Sequence, residues 1–451
     1  MVVNLKETIV AISTPDGCSA VGIVRLTGPG VINIIEKLTG QSKFRPRYFR
    51  HCLIKKGDEI IDDTLVVCFN KPDSYTGEDL VEIHCHGNPD ILKEVLGECL
   101  SLGARLAEPG EFTLRAFLNN KMDLVQAEAV GSLIHARGGL NRKAALANLS
   151  QNFFGQEIFF IREKIFPLLT QVEALIDFPE EDIPPLDREE AEAIIKSAVQ
   201  KISALLGSER QSRFISHGIK ICLIGEVNAG KSTLLNQILG ENRAIVTDIP
   251  GTTRDFLEEV IEFKGVCFRI FDTAGFRETA EAVEKIGMQK TVELMESADL
   301  ILQIIDYSEN QELTGIEDFT YLNTDIFQLL NKIDLLDSKI ETSKTFQLPV
   351  FFISAKTGHG VGEVLRAIYN KFMQGELAMN KDYLLNTRQI SCLKRAMVCL
   401  NGALQTLLDG YPEDLLASDL FSVIEELGMI TGQTCPEDIL DEIFKTYCVG
   451  K

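Results

Sequence analysis

The sequence predicts a multidomain α/β chain in which a domain built on a parallel sheet is inserted into an all-α helical domain, behind an N-terminal α+β domain. Three observations carry this. Apolar residues first recur at strand-like spacing, become helical near residue 121, alternate strand with helix from about 217, and turn helical again after 374. A glycine-rich loop, Gly225-Glu-Val-Asn-Ala-Gly-Lys231-Ser232, stands between an apolar strand run and a helix-like run. The length, 451 residues, suits about three domains of roughly 150 residues each.

Residues 1–120 read as the α+β domain. Short β-branched runs, such as Thr8-Ile-Val-Ala-Ile, Val21-Gly-Ile-Val-Arg-Leu, Asp63-Thr-Leu-Val-Val-Cys-Phe and Leu80-Val-Glu-Ile-His, are punctuated by Gly, Pro and Asp. Residues 121–216 read as the first half of the helical domain, with apolar residues at three- and four-residue intervals (Leu146, Leu149, Phe153; Ile161, Ile165, Leu168, Leu169). An acidic, proline-bearing stretch over 177–187 is a solvated loop, and Asp187 is placed to cap the helix that follows. Residues 217–374 open with the buried-strand run Ile219-Lys-Ile-Cys-Leu-Ile-Gly and alternate strand with helix, the pattern of a parallel sheet. Residues 375–451 are the second helical half and end in Cys448-Val-Gly-Lys451.

Lys plus Arg is 45 against 66 Asp plus Glu, a formal charge of −21, which excludes a protein that coats nucleic acid by its overall charge. A polyanionic partner must meet a local patch. The eleven cysteines form no Cys-x-x-Cys pair, so neither a disulfide framework nor a zinc ribbon is indicated, and a reducing cytoplasm is the expected compartment. No basic-then-apolar leader and no long uncharged apolar run is visible, so no membrane association is expected.

The loop at 225–232 fits the phosphate-binding pattern G-x-x-x-x-G-K-[ST]. Its backbone N–H groups turn inward around phosphates, Lys231 adds a point charge, and the Ser232 hydroxyl is a Mg²⁺ ligand. Asp272-Thr273-Ala274-Gly275 ends a second apolar strand, where a carboxylate suits Mg²⁺ and a glycine N–H the γ-phosphate. Asn331-Lys332-Ile333-Asp334 ends a third, and its Asp334 can accept both the ring N–H and the exocyclic amine of guanine, a pair adenine lacks. Ser354-Ala355-Lys356 ends a fourth. Four motifs in this order, each at a strand's C-terminal end, specify GTP. Between the first two lies Thr247-Asp248-Ile249-Pro250-Gly251-Thr252-Thr253, a switch segment whose Thr253 supplies the second Mg²⁺ hydroxyl. The candidate GTP-binding set therefore comprises Asn228, Ala229, Gly230, Lys231, Ser232 and Thr233 with the switch, Asp272–Gly275, Asn331, Lys332, Asp334, and Ser354 to Lys356. Phe276 follows Gly275 and cannot orient water as a Gln would, so the groups that position the nucleophile come from elsewhere.

The chain resembles the MnmE (TrmE) family of tRNA-modification GTPases over essentially its whole length. The residues that carry this are Thr8-Ile-Val-Ala, Val21-Gly-Ile-Val-Arg25, Tyr75-Thr-Gly-Glu-Asp-Leu-Val-Glu82 with His84-Cys-His86-Gly, and Pro109-Gly-Glu-Phe-Thr-Leu-Arg through Lys121. The inserted GTPase domain and the terminal Cys448-Val-Gly-Lys451 belong to the same set. The resemblance implies a homodimer whose GTPase is activated by K⁺ held by Asn228, Thr247, Ile249 and Thr252, with Glu284 of Glu281-Ala-Val-Glu284 orienting the attacking water. Read from spacing alone, Glu284 is a solvated acid at a helix start.

The resemblance also implies a folate-binding-like N-terminal fold that takes 5-formyltetrahydrofolate or 5,10-methylenetetrahydrofolate through Arg25, Glu82, Lys121 and Lys451, with Cys448 on the tail as a catalytic thiol. Read without it, Arg25 and Glu82 are strand charges on an exposed face and Cys448 a plain C-terminal cysteine. It further implies a heterotetramer with an FAD-bearing MnmG (GidA) partner that installs an aminomethyl or carboxymethylaminomethyl group at C5 of wobble uridine in certain tRNAs. The alternative is a switch-type GTPase of ribosome assembly or signalling, with the N-terminal domain as a docking module. Departures from the family pattern are Val227 for Pro, Pro250 for Ala and Val449 for Ile; the fixed φ of Pro250 bears on closure of the K⁺ loop.

Two features stand outside these motifs. His84-Cys85-His86 is a poor zinc site, because near-adjacent ligands without a distant partner do not close a tetrahedral shell. The stretch from Lys43 to Lys56 holds six basic residues, three aromatics and no acid, and reads either as an RNA contact or as a basic hairpin face.

Overall fold

The structure is a computed structural model of the chain and describes residues 5–241, 258–272, 293–309, 324–336, 348–373, 383–447 and 449–450. It divides into two compact units, the first comprising Met1–Gly131, Asn148–Lys201 and Ser391–Lys451, the second Ser132–Ala147 and Ile202–Ile390.

In the first unit the strands β1 (Ile9–Ile12), β2 (Ser19–Thr27), β3 (Arg50–Lys56), β4 (Glu59–Phe69), β5 (Leu80–Gly87) and β6 (Arg105–Leu106) form one sheet in the order β3-β4-β5-β2-β1-β6. All neighbours are antiparallel except β1 and β6. Period-2 alternation sorts the side chains: Val24 and Leu26 of β2 and Val81, Ile83 and Cys85 of β5 enter a core beneath the helices Val31–Thr39 and Pro89–Ser101. The second helix starts cleanly, with Pro89 in its first turn and Asn88 Oδ1 accepting from Asp90 N at 2.9 Å. On the opposite face Ile9, Ala11, Ala107 and Phe112 form a smaller cluster with Tyr75 packed against it.

The helical part of this unit is organised by Phe153–Asp177 lying along Glu413–Thr431. Ile158, Ile161, Ile165, Leu168 and Val172 form the buried stripe of the first and Leu416, Leu420, Val423 and Leu427 that of the second, the three- and four-residue spacing of an amphipathic pair. Pro167 sits inside the first helix, so no N–H is offered there to the preceding turn. The last helix, Glu437–Lys445, brings the chain back to the N-terminal sheet. Phe444 is wholly buried with Leu114 and Leu124, and Tyr447 Oη donates to Ala127 O at 2.6 Å. Gly450 then lies on β1, its carbonyl accepting from Ser13 Oγ and Arg25 Nη1, each at 3.2 Å.

In the second unit β7 (Ile219–Gly225), β8 (Glu258–Phe263), β9 (Val266–Asp272), β10 (Leu300–Asp306), β11 (Asp325–Asn331) and β12 (Val350–Phe352) form a sheet of order β12-β11-β10-β7-β9-β8. It is parallel apart from the edge pair β8–β9. β7 is flanked by β10 and β9, so the direction of winding reverses at its end and a ligand crevice opens there. Ile221, Leu223, Leu302, Ile304 and Leu329 are buried with Ile238 and Ile368 from the covering helices Lys231–Glu241 and Val361–Met373. The alternate residues Cys222, Ile224 and Ile301 are buried on the other face with Met295, so apolar side chains enter a core on both faces, which explains the near-continuous apolar strands. Among the described residues, no helix is long and apolar enough to cross a membrane.

Candidate functional site

The carboxyl ends of β7, β9, β11 and β12 converge on one place. Gly225, with φ +155°, ends β7 so close to β10 that an added Cβ would lie 2.3 Å from Ile304 O. The loop then turns through Asn228, a non-glycine residue with positive φ (65°), and Gly230, with φ +103°. A Cβ on Gly230 would meet Asn331 Nδ2 at 2.2 Å. Lys231 opens the following helix, and its Nζ donates to Gly225 O and Glu226 O, both at 2.8 Å, which holds the ammonium over the loop. One residue on, Ser232 Oγ donates to Asp272 Oδ2 at 3.5 Å. A hydroxyl and a carboxylate at that separation are hard oxygen donors suited to sharing Mg²⁺.

Asn331 joins the loop after β7 to the loop after β12. Its Nδ2 donates to Ala229 O at 2.8 Å and its Oδ1 accepts from Ala355 N at 2.8 Å, with the side chain almost wholly buried. Ser354 Oγ donates to Asp334 Oδ1 at 2.6 Å and so aims the carboxylate predicted to read guanine. Lys332 adopts positive φ (67°) and its ammonium pairs with Asp306 at the end of β10. Burial pushes the Asp306 carboxyl up, but bonds from Lys332 and Ser308 outweigh it and hold it below the usual carboxylate range. Thr233 and Lys356 are exposed beside these groups in sequence.

Thr247, Asp248, Ile249, Pro250, Gly251, Thr252 and Thr253 lie outside the described residues, as do Thr273, Ala274, Gly275, Glu284, Cys448 and Lys451.

A second cluster occupies the N-terminal sheet. Arg25 and Glu82 are direct cross-strand partners in the β2–β5 register. Arg25 Nε and Nη2 both donate to Glu82 Oε1, at 2.9 and 2.8 Å, and the guanidinium lies 5.9 Å from the centre of the Phe112 ring. Glu82 Oε2 is 3.3 Å from His84 Nε2, and the His84 ring meets Phe49 edge-on at 5.0 Å. Lys121 does not touch this pair; its Nζ donates to Pro72 O at 3.0 Å while its methylenes lie against Gly77. Alternation along β5 turns Cys85 into the core, where burial pushes its thiol up to about 12, while His84 binds Glu82 and His86 Nδ1 binds Asp62 at 2.7 Å.

Two family models divide the chain between them: "GTP-binding protein TrmE N-terminus" matches residues 8–121 and "MnmE helical domain" matches residues 124–448. The chain belongs to the MnmE family. Curated MnmE relatives match from end to end. The tRNA modification GTPase MnmE of Thermoanaerobacter sp. (strain X514) is 41% identical over 458 residues, covering 99% of this chain and 99% of that one. The protein of the same name from Aquifex aeolicus (strain VF5) is 41% identical over 455 residues, covering 99% and 100%. Among solved structures, the G domain of the T. maritima FeoB iron transporter is 26% identical over 35% of this chain and 99% of that one, with a TM-score of 0.27.

The MnmE motifs were located by sequence, but some of their neighbours were not. Asp306 pairs with the predicted site residue Lys332 without belonging to a motif, and Phe112, inside the Pro109–Arg115 motif, meets Arg25 although no site role was read for it. Only the strand register, invisible in the linear sequence, brings Arg25 opposite Glu82.

Proposed function

We propose that this MnmE family member hydrolyses GTP at the end of β7 and couples the hydrolysis to modification of wobble uridine in tRNA. The observation that carries the reading is the Asn331 amide, bonded at once to the phosphate loop through Ala229 and to the base-reading loop through Ala355. In this reading Lys231 neutralises phosphate charge, Ser232 and Thr253 bind Mg²⁺ with Asp272 behind them, and Asp334 selects guanine. Asn228, Thr247, Ile249 and Thr252 hold K⁺, which supplies the positive charge that other GTPases take from an arginine. Glu284 orients the attacking water.

In the N-terminal unit Arg25, Glu82, Lys121 and Lys451 hold the tetrahydrofolate, which supplies a one-carbon unit when bound. The donor set suits it. Arg25 offers N–H groups to a carboxylate or carbonyl, and Glu82 accepts from amine and ring N–H groups. Cys448 brings a thiol to that site from the tail. The active assembly is a homodimer joined to an FAD-bearing MnmG-type partner in the cytoplasm. Mass analysis of wobble uridines in cells lacking the chain tests the reading, and unaltered uridines overturn it. For the cation, replacing K⁺ by Na⁺ lowers the GTPase rate by at least about tenfold, the scale of removing one electrostatic stabiliser, and equal rates refute the K⁺ site.

A further inference from the structure

We propose that residues 43–50, at the edge of the N-terminal sheet, dock single-stranded RNA of the anticodon loop, with Tyr48 and Phe49 stacking on bases and Lys43, Arg45 and Arg47 on phosphates. The inference rests on the tRNA-modification reading and adds to it where the RNA meets this chain.

The segment leads into β3, the outermost strand of the sheet. Tyr48 is 62% exposed and Phe49 51% exposed, large aromatic surfaces with no core role. Arg45 lies over the Tyr48 ring at 5.4 Å and Arg50 over the Phe44 ring at 5.3 Å, an alternation of cation and π-face that matches alternating phosphate and base. Among the described residues, no carboxylate lies within ion-pair distance of Lys43, Arg45, Arg47 or Arg50, although the chain as a whole carries −21. The local sign is therefore opposite to the global one, which favours an anionic partner at this place.

The far end of the basic stretch differs. Lys56 is within 3.7 Å of Glu94 and 3.8 Å of Glu98, and His51 pairs with Asp63, so beyond residue 50 those two cations are partnered and the run from Lys43 to Arg50 is the longest of the stretch without such a partner among the described residues. That is a footprint for a few nucleotides. The loop is also held in place. Arg47 N donates to Cys68 O at 2.8 Å and its guanidinium to Asp73 O at 2.8 Å, so binding does not have to order the segment first. Finally, Phe49 touches His84, which reaches Glu82 and through it Arg25, so a base stacked here stands beside the candidate one-carbon site. A duplex hides its base faces, which is why the occupant is single-stranded.

The experiment measures binding of the full chain to an anticodon stem-loop RNA with uridine at the wobble position, and to a duplex RNA of equal length, across a salt series. The stem-loop is expected to bind more tightly than the duplex. Arg45→Ala with Arg47→Ala lowers the slope of log K against log salt by about 1.4, two phosphates at roughly 0.7 each. Tyr48→Ala, at an exposed position that does not threaten folding, weakens binding about tenfold, and Phe49→Ala by a similar factor, the range for one stacked base. Unchanged thermal midpoints confirm that the variants are folded. An unchanged salt slope, equal binding of duplex and stem-loop, or binding of anionic phospholipid vesicles in place of RNA each overturns the inference. Failure of the underlying reading is seen separately, as unaltered wobble uridines in cells lacking the chain.

Discussion

The two candidate sites of this chain are built on opposite principles. The nucleotide site is made of contiguous loops at the ends of parallel strands, and its working parts are largely backbone: Gly225 and Gly230 shape the cradle and carbonyls of Gly225 and Glu226 hold Lys231. The N-terminal site is made of isolated side chains on antiparallel strands, Arg25 and Glu82, separated by 57 residues and meeting only through register, with Gly450 arriving from the far end of the chain. A local motif survives changes elsewhere in its fold, whereas a register site depends on the whole sheet. Substitutions should therefore behave differently in the two places.

The largest effect is expected at Asp334. Asp334→Asn turns one of the two acceptors for the guanine N–H pair into a donor, which suits the C2 carbonyl of xanthine, and GTP-over-XTP selectivity measured by competition should fall by on the order of 10⁴. Retained selectivity would show that Asp334 is not the group that reads the base. Next, Gly230→Ala forces a Cβ onto Asn331 Nδ2 at a positive φ, so the bond to Ala229 must break. Nucleotide affinity should drop at least about tenfold in a titration, while binding of 5-formyltetrahydrofolate stays as in the parent chain. If both fall together, the two units are coupled more tightly than separate sites allow.

Arg25→Ala should act in the reverse sense. It strips Glu82 of its cross-strand partner and Gly450 of one donor, and folate binding measured by calorimetry should weaken about tenfold or more with GTP affinity unchanged. Unaltered folate binding removes Arg25 from that site.

The smallest effect is on stability in acid. Burial pushes the Glu111 carboxyl up, but bonds from Arg105, Glu108 N and Arg115 outweigh it and hold the group below the usual range. A folded pKa below the unfolded one gives stability that is present above the unfolded value, near 4.3, and is lost as pH falls through the folded value. The thermal midpoint of the parent should therefore decline with acidification below about pH 4, and Glu111→Gln should flatten that decline. A slope equal in both proteins would assign the acid sensitivity to other carboxylates.

How much could be read in advance follows the same division. The phosphate loop, Asp272, Asn331 with Asp334, and Ser354 were legible because each is a short string after an apolar strand, and folding leaves such strings intact. The link between them was not legible, since nothing in the string announces that the Asn331 amide spans Ala229 and Ala355. Arg25 and Glu82 looked like ordinary strand charges, because period-2 alternation gives a residue's face and not its neighbour across the sheet. The basic stretch from Lys43 to Lys56 read as uniform, yet Asp63 on the neighbouring strand takes His51 and the carboxylates of Glu94 and Glu98, from a helix more than thirty residues on, take Lys56.

The Arg25–Glu82 register also limits how this sequence can drift. The pairing from Gly22 to Thr27 with Cys85 to Leu80 is unbroken, so a one-residue insertion there that is not taken up in a bulge, as the irregularity between Ser19 and Gly22 is, would send Arg25 and Glu82 to opposite faces and bring Val24 or Ile83 out of the core. Turns bear no such restriction. Insertions and deletions that separate descendants of this chain should accumulate between strands, leaving the spacing over Gly22–Thr27 and Leu80–Cys85 as a fixed ruler against which divergent copies can be aligned.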